Sequence, residues 1–353
     1  MTATSDKPAG GYYFEDFYVG RRFDHATPRT LTEGDAALYI ALTGARCPLH
    51  CSRPLAAAMG HRACPLDDFL VFNIAFGKTV PDVSYNALAN LGYADVRFLS
   101  PVYAGDTLRC QSDVLAKKAN SSATSGIVYV RSRAFNQDGS EVLTWVRWVM
   151  LAAREGATGK SGKAAVPAQV AAQDFRACVS DVGPLTAEVT GSARLWEDYQ
   201  PGDRIDHPGG MTVEEADHML ATRLYQNNAR VHFDARQAAQ GQHGRRLVYG
   251  GHVISLCRAL SYDGLENAFA VAAIHGGTHA NPLFAGDTLY CRHEVVSKDA
   301  LPGRVDVGAL RLRMLGVKNQ DLEGLVSPAM GAKHPAVVLD LDYRVLIPRR
   351  QNP

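Results

Sequence analysis

The sequence predicts an α+β protein in which one folding unit occurs twice. The first observation is a repeat, because residues 14–25 (FEDFYVGRRFDH) match residues 196–207 (WEDYQPGDRIDH) at a constant offset of 182. The second is length, since 353 residues suit about two domains. The third is composition, since 46 % hydrophobic and 21 % charged residues are typical of a globular protein. We therefore predict two similarly folded halves.

The repeat continues through the whole unit. At the same offset, Thr30, Glu33, Asp35 and His50 fall on Thr212, Glu215, Asp217 and His232. Later segments match at nearly the same offset: PVYAGDTLRC at 101–110 with PLFAGDTLYC at 282–291, and NQD at 136–138 with NQD at 319–321. We place the first unit at residues 1–153 and the second at residues 174–353. Residues 154–173, rich in Ala, Gly, Lys and Ser, are predicted to form the linker.

Each unit is predicted to begin with a buried helix. A threonine that can cap the helix, with an acidic residue three positions later, is present in both copies: Thr30 or Thr32 with Glu33 or Asp35, and Thr212 with Glu215. The positions that follow in the first copy are apolar around most of the circumference, at Ala37, Leu38, Ile40, Ala41 and Leu42. We predict that this is the long central helix of the unit.

Extended runs rich in Val, Ile, Tyr and Trp follow the helix. Residues 127–135 and 142–151 flank the turn Asn136-Gln137-Asp138-Gly139, which predicts a β-hairpin. The two AGDTL segments are predicted to be turns that enter strands, with positive φ at Gly105 and Gly286. A long helix wrapped by an antiparallel sheet is the α+β unit that this order favours.

Charge and hydropathy argue against several classes of partner. A formal net charge of +1 provides no large field of one sign for nucleic acid or anionic lipid. No run of about 18 apolar residues occurs, and the N-terminal segment MTATSDKPAGG lacks the apolar stretch of a secretory signal. We therefore expect a cytoplasmic protein that binds neither nucleic acid nor a membrane.

Cysteine usage predicts buried thiols in a reducing compartment. The seven cysteines are odd in number and lie in apolar surroundings, so we expect no disulfide. One group could be mistaken for a zinc site, namely Cys47, His50, Cys51, His61 and Cys64. Its spacing fits no standard finger, and its first two cysteines have no cysteine counterpart in the second copy, so we predict no metal site.

The linker contains a TGKS tetrapeptide like that of phosphate-binding P-loops. The first glycine of that motif would fall at position 154, which is arginine, and no strand precedes it. We therefore predict no nucleotide site.

His50 and His232 are the candidate catalytic residues that the repeat singles out. Each is predicted to follow the end of the central helix, where a loop can present it to a cleft. A lone histidine at such a position is more often a satisfied polar residue that caps a turn. Recurrence at equivalent positions makes the catalytic interpretation about equally strong, so both interpretations stay open.

Several segments resemble the MaoC-like hydratases: FEDFYVG at 14–20, RTLTEGDAALYIALTG at 29–44 and PVYAGDTL at 101–108. The resemblance covers nearly the whole chain, once in each half. It implies a tandem, or double, hot-dog fold, in which each unit is a long helix wrapped by an antiparallel sheet. Within this family, residues 25–46, 65–108 and 136–150 are most similar to the mesaconyl-CoA hydratases, also called β-methylmalyl-CoA dehydratases.

The resemblance implies a Gly-Asp-x-Asn-Pro-x-His segment whose aspartate and histidine position and activate water. The first copy keeps the glycine, the proline and His50 but has Ala45 at the aspartate position. The second keeps His232 and has Asn227 there. Because an amide cannot take a proton from water, His232 would act as the base, or a carboxylate from another segment would serve. The candidate carboxylates are Asp67, Asp68 and Asp234.

The expected oxyanion donors favour the second half. The resemblance implies that a backbone N–H of a glycine-containing segment binds the enolate oxygen, and Val248-Tyr249-Gly250-Gly251 resembles that segment. The corresponding Pro65-Leu66-Asp67-Asp68 has no glycine. We therefore predict one active site, with the first half shaping the acyl pocket. Its catalytic residues are His232, Asn227 and Gly250, and the secondary candidates are His50, Asp234 and Gly251.

The substrate that the resemblance implies carries a free carboxylate besides its thioester. A cation would bind this group, and Arg46 or Arg230, next to the histidine segments, are the candidates. Solvated surface arginines are an equally good interpretation of both residues.

We predict a hydro-lyase that converts mesaconyl-CoA reversibly to β-methylmalyl-CoA, without a metal or redox cofactor and with CoA only as part of the substrate. Two alternatives stay open: a hot-dog acyl-CoA thioesterase, which would release free CoA, and a non-catalytic acyl-CoA binding protein. Two paired units within one chain are the expected minimum, and assembly into a homo-oligomer stays open.

Overall fold

The structure, a computed structural model, describes residue 8 and residues 10–159, 164–176 and 178–350. Lys160 and Ser161 of the TGKS tetrapeptide lie outside the described residues, as do residues 1–7 and 9 of the polar N-terminal segment. None of the described helices has the length and apolar character that crossing a membrane requires.

Both halves have the same order of elements, in which short strands and helices precede one long helix and four long strands. The first half contains β1 (Arg22–Asp24), β2 (Arg29–Thr30), α1 (Glu33–Thr43), α2 (Pro48–Cys51), α3 (Arg53–Ala58), α4 (Asp68–Val83), β3 (Ala87–Phe98), β4 (Thr107–Ala119), β5 (Ser125–Phe135) and β6 (Glu141–Ala152). The second half contains α5 (Ala187–Thr190), β7 (Arg204–Thr212), α6 (Glu215–Leu224), α7 (Arg230–Phe233), α8 (Ala235–Ala238), α9 (Gly250–Leu260), β8 (Ala270–Thr278), β9 (Thr288–Ala300), β10 (Val307–Lys318) and β11 (Val337–Pro348). Short 3-10 turns lie at Phe14–Asp16, Ala172–Asp174 and Trp196–Asp198. The predicted α+β repeat is confirmed.

The described strands form one antiparallel sheet. Its order is β1-β4-β5-β6-β3-β8-β11-β10-β9-β7, and β2 pairs with β4. The halves meet where β3 pairs with β8, so that Tyr93 lies opposite Gly277. The two half-sheets are therefore continuous, and backbone hydrogen bonds cross the boundary between the halves.

The central helix of each half is not the one that the sequence predicted. In α1 only Tyr39 and Thr43 are buried, whereas in α4 every residue from 69 to 80 is buried. In the second half, α9 is buried throughout residues 251–257. The apolar positions of α1 include several alanines, which have little surface to remove from water, while α4 carries three phenylalanines and several branched side chains. The prediction that α1 is the central helix was therefore wrong.

The predicted helix caps are correct in the first copy and wrong in the second. Thr32 caps α1, and Asp35 completes the capping box. In the second copy the N-cap of α6 is Glu214, which supplies no side-chain cap. Thr212 cannot serve because it lies in β7, where its hydroxyl bonds that of Thr288 at 2.8 Å.

The predicted turns are confirmed. The β5–β6 hairpin turns through Asn136, whose side chain accepts hydrogen bonds from the N–H groups of Asp138 and Ser140. Gly105 and Gly286 have φ values of +97° and +89°, which glycine adopts without a steric penalty.

All seven cysteines are free, as expected. Cys110, Cys257 and Cys291 are buried, but Cys51 and Cys178 are exposed. The expectation that the thiols are buried is therefore correct for Cys110, Cys257 and Cys291 and wrong for Cys51 and Cys178.

The last part of the linker packs against both halves. Val170 belongs to an apolar cluster that also contains Leu55 of the first half and Phe269 of the second, and Ala172 packs against this cluster. The backbone N–H of Val170 donates to Nδ1 of His275 at 2.9 Å. This part of the linker is therefore fixed by contacts with both units.

Candidate active site

The candidate site is built around two histidines at equivalent positions in the two halves. His50 lies in α2 and His232 in α7, and each is half-buried. Nδ1 of His50 is 3.0 Å from the carbonyl oxygen of Pro65, and Nδ1 of His232 is 3.0 Å from that of Leu247. Because a carbonyl oxygen can only accept, Nδ1 is the donor in both hydrogen bonds. Nε2 of His232 is left for another partner, whereas the ring of His50 also interacts with the side chain of Cys47.

The ring of Tyr249 and a second histidine, His279, lie close to His232. The ring of Tyr249 lies 5.6 Å from that of His232, and Nε2 of His279 is 3.0 Å from the hydroxyl oxygen of Tyr93. Burial lowers the pKa of His232 and the pKa of His279, each to about 4. Both imidazoles are therefore neutral at pH 7, and Nε2 of His232 can accept a proton.

Helix α9 begins beside His232 with two unoccupied backbone donors. Its N-cap residue, Tyr249, supplies no side-chain cap. Within the part of the chain that the structure describes, neither Gly250 nor Gly251 donates its backbone N–H to an acceptor. A Cβ at Gly250 would lie 2.4 Å from the ring of His279, and one at Gly251 would lie 2.0 Å from Oδ1 of Asn73. Both positions therefore require glycine, and the N-terminus of α9 offers its partial positive charge to an oxyanion.

The corresponding end of α4 in the first half is occupied. The side chain of Asp67 accepts a hydrogen bond from the N–H of Phe69 at 2.9 Å and so caps the helix. Oδ2 of Asp68 accepts from the N–H of Val271 at 2.7 Å. At the start of α4 a carboxylate therefore occupies the position at which the start of α9 has unoccupied backbone N–H groups.

His50 has the opposite charge state from His232. Burial alone would lower its pKa, but Cys47 and the carboxylates of Asp67 and Asp68 raise the pKa of His50 to about 10. At pH 7 this ring is an imidazolium and cannot take a proton from water. It faces a cleft whose lining includes Tyr39, Arg46, Ser255 and Arg258.

Asn227 and Asp234 make structural hydrogen bonds. Oδ1 of Asn227 accepts from the N–H of Ala229 at 3.1 Å, within the turn that precedes α7. Asp234 caps α8 by accepting from the N–H of Gln237 at 3.1 Å. Among the described residues, no carboxylate is hydrogen-bonded to His232. Neither of these two side chains, both in the described part of the chain, is hydrogen-bonded to His232, and the catalytic roles predicted for Asn227 and Asp234 stay predictions.

The two predicted substrate-binding arginines already contact other residues of the chain. Arg46 pairs with Asp263 at 2.6 Å, and its guanidinium lies 4.7 Å from the centroid of the Tyr262 ring. The guanidinium of Arg230 lies 4.7 Å from the centroid of the Tyr85 ring. The structure thus places them in two separate surface clusters.

Four residues of this region were not among the catalytic candidates that the sequence predicted. They are Tyr249, His279, Tyr93 and Arg147, and the last of these is completely buried on β6. Two signals were available in the sequence: an arginine inside the apolar run WVRWVM, and a histidine just before the PLFAGDTL segment. Because neither Arg147 nor His279 lies within a motif that both copies share, comparing the two copies could not reveal these residues.

One group of three possible metal ligands occurs among the described residues, and it differs from the set considered from the sequence. His207, Cys291 and His293 have ligand atoms within 4.8 Å of one another. Nε2 of His207 is 2.8 Å from Nδ1 of His293, whose Nε2 is 2.9 Å from the hydroxyl of Tyr343. Nδ1 of His207 donates to the carbonyl of Asp263 at 2.7 Å. All four ring nitrogens are thus engaged in a buried chain of hydrogen bonds.

The fold has parallels in solved structures. A structure from Chloroflexus aurantiacus, described as a candidate MaoC domain protein dehydratase, is 48 % identical to the chain with a TM-score of 0.94 and covers 98 % of this chain and 100 % of the other. A Mycobacterium tuberculosis protein with a double hotdog fold is 29 % identical with a TM-score of 0.80, covering 96 % and 99 %. The double hot-dog fold expected from the resemblance is confirmed.

Sequence comparison gives the family. A family model described as mesaconyl-CoA hydratase matches residues 2–332. A curated relative from Chloroflexus aurantiacus, named beta-methylmalyl-CoA dehydratase, is 49 % identical over 351 residues, which are 98 % of this chain and 99 % of the relative. Since both matches span nearly the full length and include both histidine segments, the chain belongs to the mesaconyl-CoA hydratase family.

Proposed function

We propose that the protein is a hydro-lyase that hydrates mesaconyl-CoA reversibly to β-methylmalyl-CoA. The family model and the Chloroflexus relative are named for these two compounds. The observation that carries the proposal is the neutral His232 beside the unoccupied backbone donors of Gly250 and Gly251. Addition of water to a conjugated thioester needs a base for water, an acid for the α-carbon and donors for the enolate oxygen.

The glycines at the start of α9 would bind the thioester oxygen. Negative charge develops on this oxygen as the double-bond electrons move toward the carbonyl group. The N–H groups of Gly250 and Gly251, together with the helix dipole, stabilise that charge where it forms. Backbone N–H donors of an oxyanion site typically lower such a barrier by about 3 kcal/mol each.

His232 would carry the proton. Its Nε2 takes a proton from water while the water oxygen forms a bond to the β-carbon. The imidazolium then returns that proton to the α-carbon as the enolate collapses. One water is consumed, the histidine is neutral again, and the cycle requires no carboxylate at the position of Asn227.

The first half would shape the site rather than perform the reaction. His50 is protonated, and Asp67 occupies the N-terminus of α4, so this half lacks both a base and an oxyanion donor in the equivalent place. Its contribution is the wall of the second-half site, which includes Phe76 of α4 and Tyr93 of β3. We therefore propose one active site, on the second unit. The electrostatic reason is that His232 is neutral at pH 7 whereas His50 is protonated.

The hydration as written uses no electron transfer and no Lewis acid, so we propose that it requires neither a redox cofactor nor a metal ion. CoA takes part only as the thioester portion of the substrate. The cytoplasmic location and assembly into a homo-oligomer stay predictions.

An assay with two readouts tests the proposal. Purified protein is mixed with mesaconyl-CoA, and the absorbance of the conjugated thioester is followed together with the concentration of free thiol. We expect the absorbance to fall without release of thiol, and to rise when β-methylmalyl-CoA is supplied instead. Stoichiometric thiol would identify a thioesterase, and unchanged absorbance with tight binding would identify an acyl-CoA binding protein. Either outcome contradicts the proposal.

A further inference from the structure

We propose that Arg147, assisted by Tyr249, binds the free carboxylate of a dicarboxylic acyl-CoA at the second-half site. This inference rests on the proposed function, because it names the group that selects the substrate of that site. It replaces Arg46 and Arg230 as the expected carboxylate partners.

Arg147 differs from the other buried arginines in having no anionic partner. Four arginines are buried among the described residues. Arg292 pairs with Asp206 at 2.5 Å, Arg313 with Asp340 at 2.9 Å, and Arg344 with Asp299. Arg147 donates only to hydroxyl groups, those of Thr79 at 2.8 Å and Ser84 at 3.3 Å, and its Nε has no acceptor.

A buried guanidinium without a counter-ion is costly for the folded protein. Burial lowers the pKa of Arg147 to about 10, so the group is still protonated at pH 7. Since the side chain is 0 % exposed, water does not compensate the charge. A ligand anion would supply the missing counter-ion, and such charge-assisted hydrogen bonds are the strong ones.

Tyr249 connects this arginine to the proposed reaction centre. Its ring lies 5.6 Å from His232 on one side and 5.7 Å from Phe76 on the other, and the guanidinium of Arg147 lies 4.1 Å from the centroid of the Phe76 ring. The hydroxyl of Tyr249 is buried and has no hydrogen-bond partner. A second orphaned polar group, the side-chain amide of Asn90, is buried on β3, which pairs with the strand of Arg147.

The order of these groups fits the chemistry of the proposed substrate. In the thioester of an unsaturated diacid with a four-carbon main chain, such as the methyl-branched mesaconyl group, the thioester carbonyl and the free carboxylate are attached to opposite ends of the double bond. Donors for the two groups must therefore lie on either side of the base. The hydroxyl of Tyr249 lies beside Gly251, because a Cβ at Gly251 would be 2.5 Å from it, and the Tyr249 ring packs against Phe76, whose ring Arg147 also contacts. Tyr249 thus connects the start of α9 with the ring that Arg147 contacts.

Binding of two saturated thioesters tests the inference without requiring turnover. Succinyl-CoA carries a free carboxylate, and butyryl-CoA has the same chain length without one. Calorimetry with the full chain should show that the wild type binds succinyl-CoA more tightly. We expect Arg147→Met to weaken succinyl-CoA binding about 100-fold and butyryl-CoA binding less than about 3-fold. Tyr249→Phe should weaken succinyl-CoA binding alone, by about 10-fold.

Two control variants distinguish recognition of the free carboxylate by Arg147 from a structural role of this arginine at the end of α4. Arg147→Lys keeps the charge and should recover part of the preference for succinyl-CoA. Arg313→Met removes a buried arginine whose carboxylate partner is internal, so it should lower thermal stability without changing the ratio of the two affinities. The inference is overturned if the wild type shows no preference, or if Arg147→Met and Tyr249→Phe weaken both ligands equally. Failure to hydrate mesaconyl-CoA would instead overturn the proposed function, whatever the binding data show.

Discussion

The histidine segments of the two halves share their geometry and differ in charge. His50 and His232 each donate from Nδ1 to a backbone carbonyl at 3.0 Å, from a short helix at the same place in the repeat. The pKa is about 10 for His50 and about 4 for His232. Duplication has therefore preserved the hydrogen bond that orients the ring, while the surroundings decide whether the ring can act as a base.

The long helices show the same divergence at their N-termini. Asp67 caps α4 with its carboxylate, whereas Tyr249 leaves the first N–H groups of α9 unoccupied. An acidic N-cap stabilises a helix by about 1 kcal/mol, and its absence leaves donors available for a ligand. The first half therefore has a stabilising cap at the position where the second half has free N–H groups, which we propose bind the substrate.

The largest expected effect compares the two histidines directly. His232→Ala should lower kcat for mesaconyl-CoA about 1,000-fold, because the base is lost. The matched variant His50→Ala should change kcat less than about 10-fold. Both are measured as loss of the enoyl thioester absorbance, with circular dichroism to confirm folding. A larger loss in His50→Ala than in His232→Ala would move the active site to the first half.

A smaller effect is expected from the start of α9. Gly250→Ala places a Cβ 2.4 Å from the ring of His279, so the helix end must shift away from the thioester oxygen. We expect kcat to fall about 100-fold, as for loss of an oxyanion donor. Gly324→Ala is the control, because a Cβ there meets nothing within 4 Å. Wild-type activity in Gly250→Ala would show that this helix end does not bind the substrate.

The smallest expected effect is the change of activity with pH, which distinguishes a neutral His232 from a protonated His50 as the base. His232 must be neutral to act as a base, so activity is lost only as pH falls through its pKa of about 4. We expect kcat/KM to change by less than about a third between pH 5.5 and 8. A base at His50 would instead require pH values near 10, where its proton is released. An activity that rises steadily toward pH 10 would contradict the assignment to His232.

The sequence by itself determined the repeat, its turns and the segments that carry the chemistry. These features are local. Gly105 and Gly286 take the positive φ that their turns require, and the side chain of Asn136 closes the β5–β6 hairpin, because each depends on a few neighbouring residues. The same holds for the glycines of α9, which resemble a known oxyanion segment.

Only the tertiary structure decided which helix is buried and which charges are compensated. The small apolar side chains of α1 suggest burial, yet the sheet closes on the aromatic side chains of α4, which remove more surface from water. The pKa of His50 depends on its burial and on Cys47, and also on Asp67 and Asp68 at the start of another helix. Arg147 and Tyr249 come from different halves and are brought close because both contact the ring of Phe76 on α4. Electrostatic free energies depend on distances in space and on burial, and a sequence pattern specifies neither for residues so far apart.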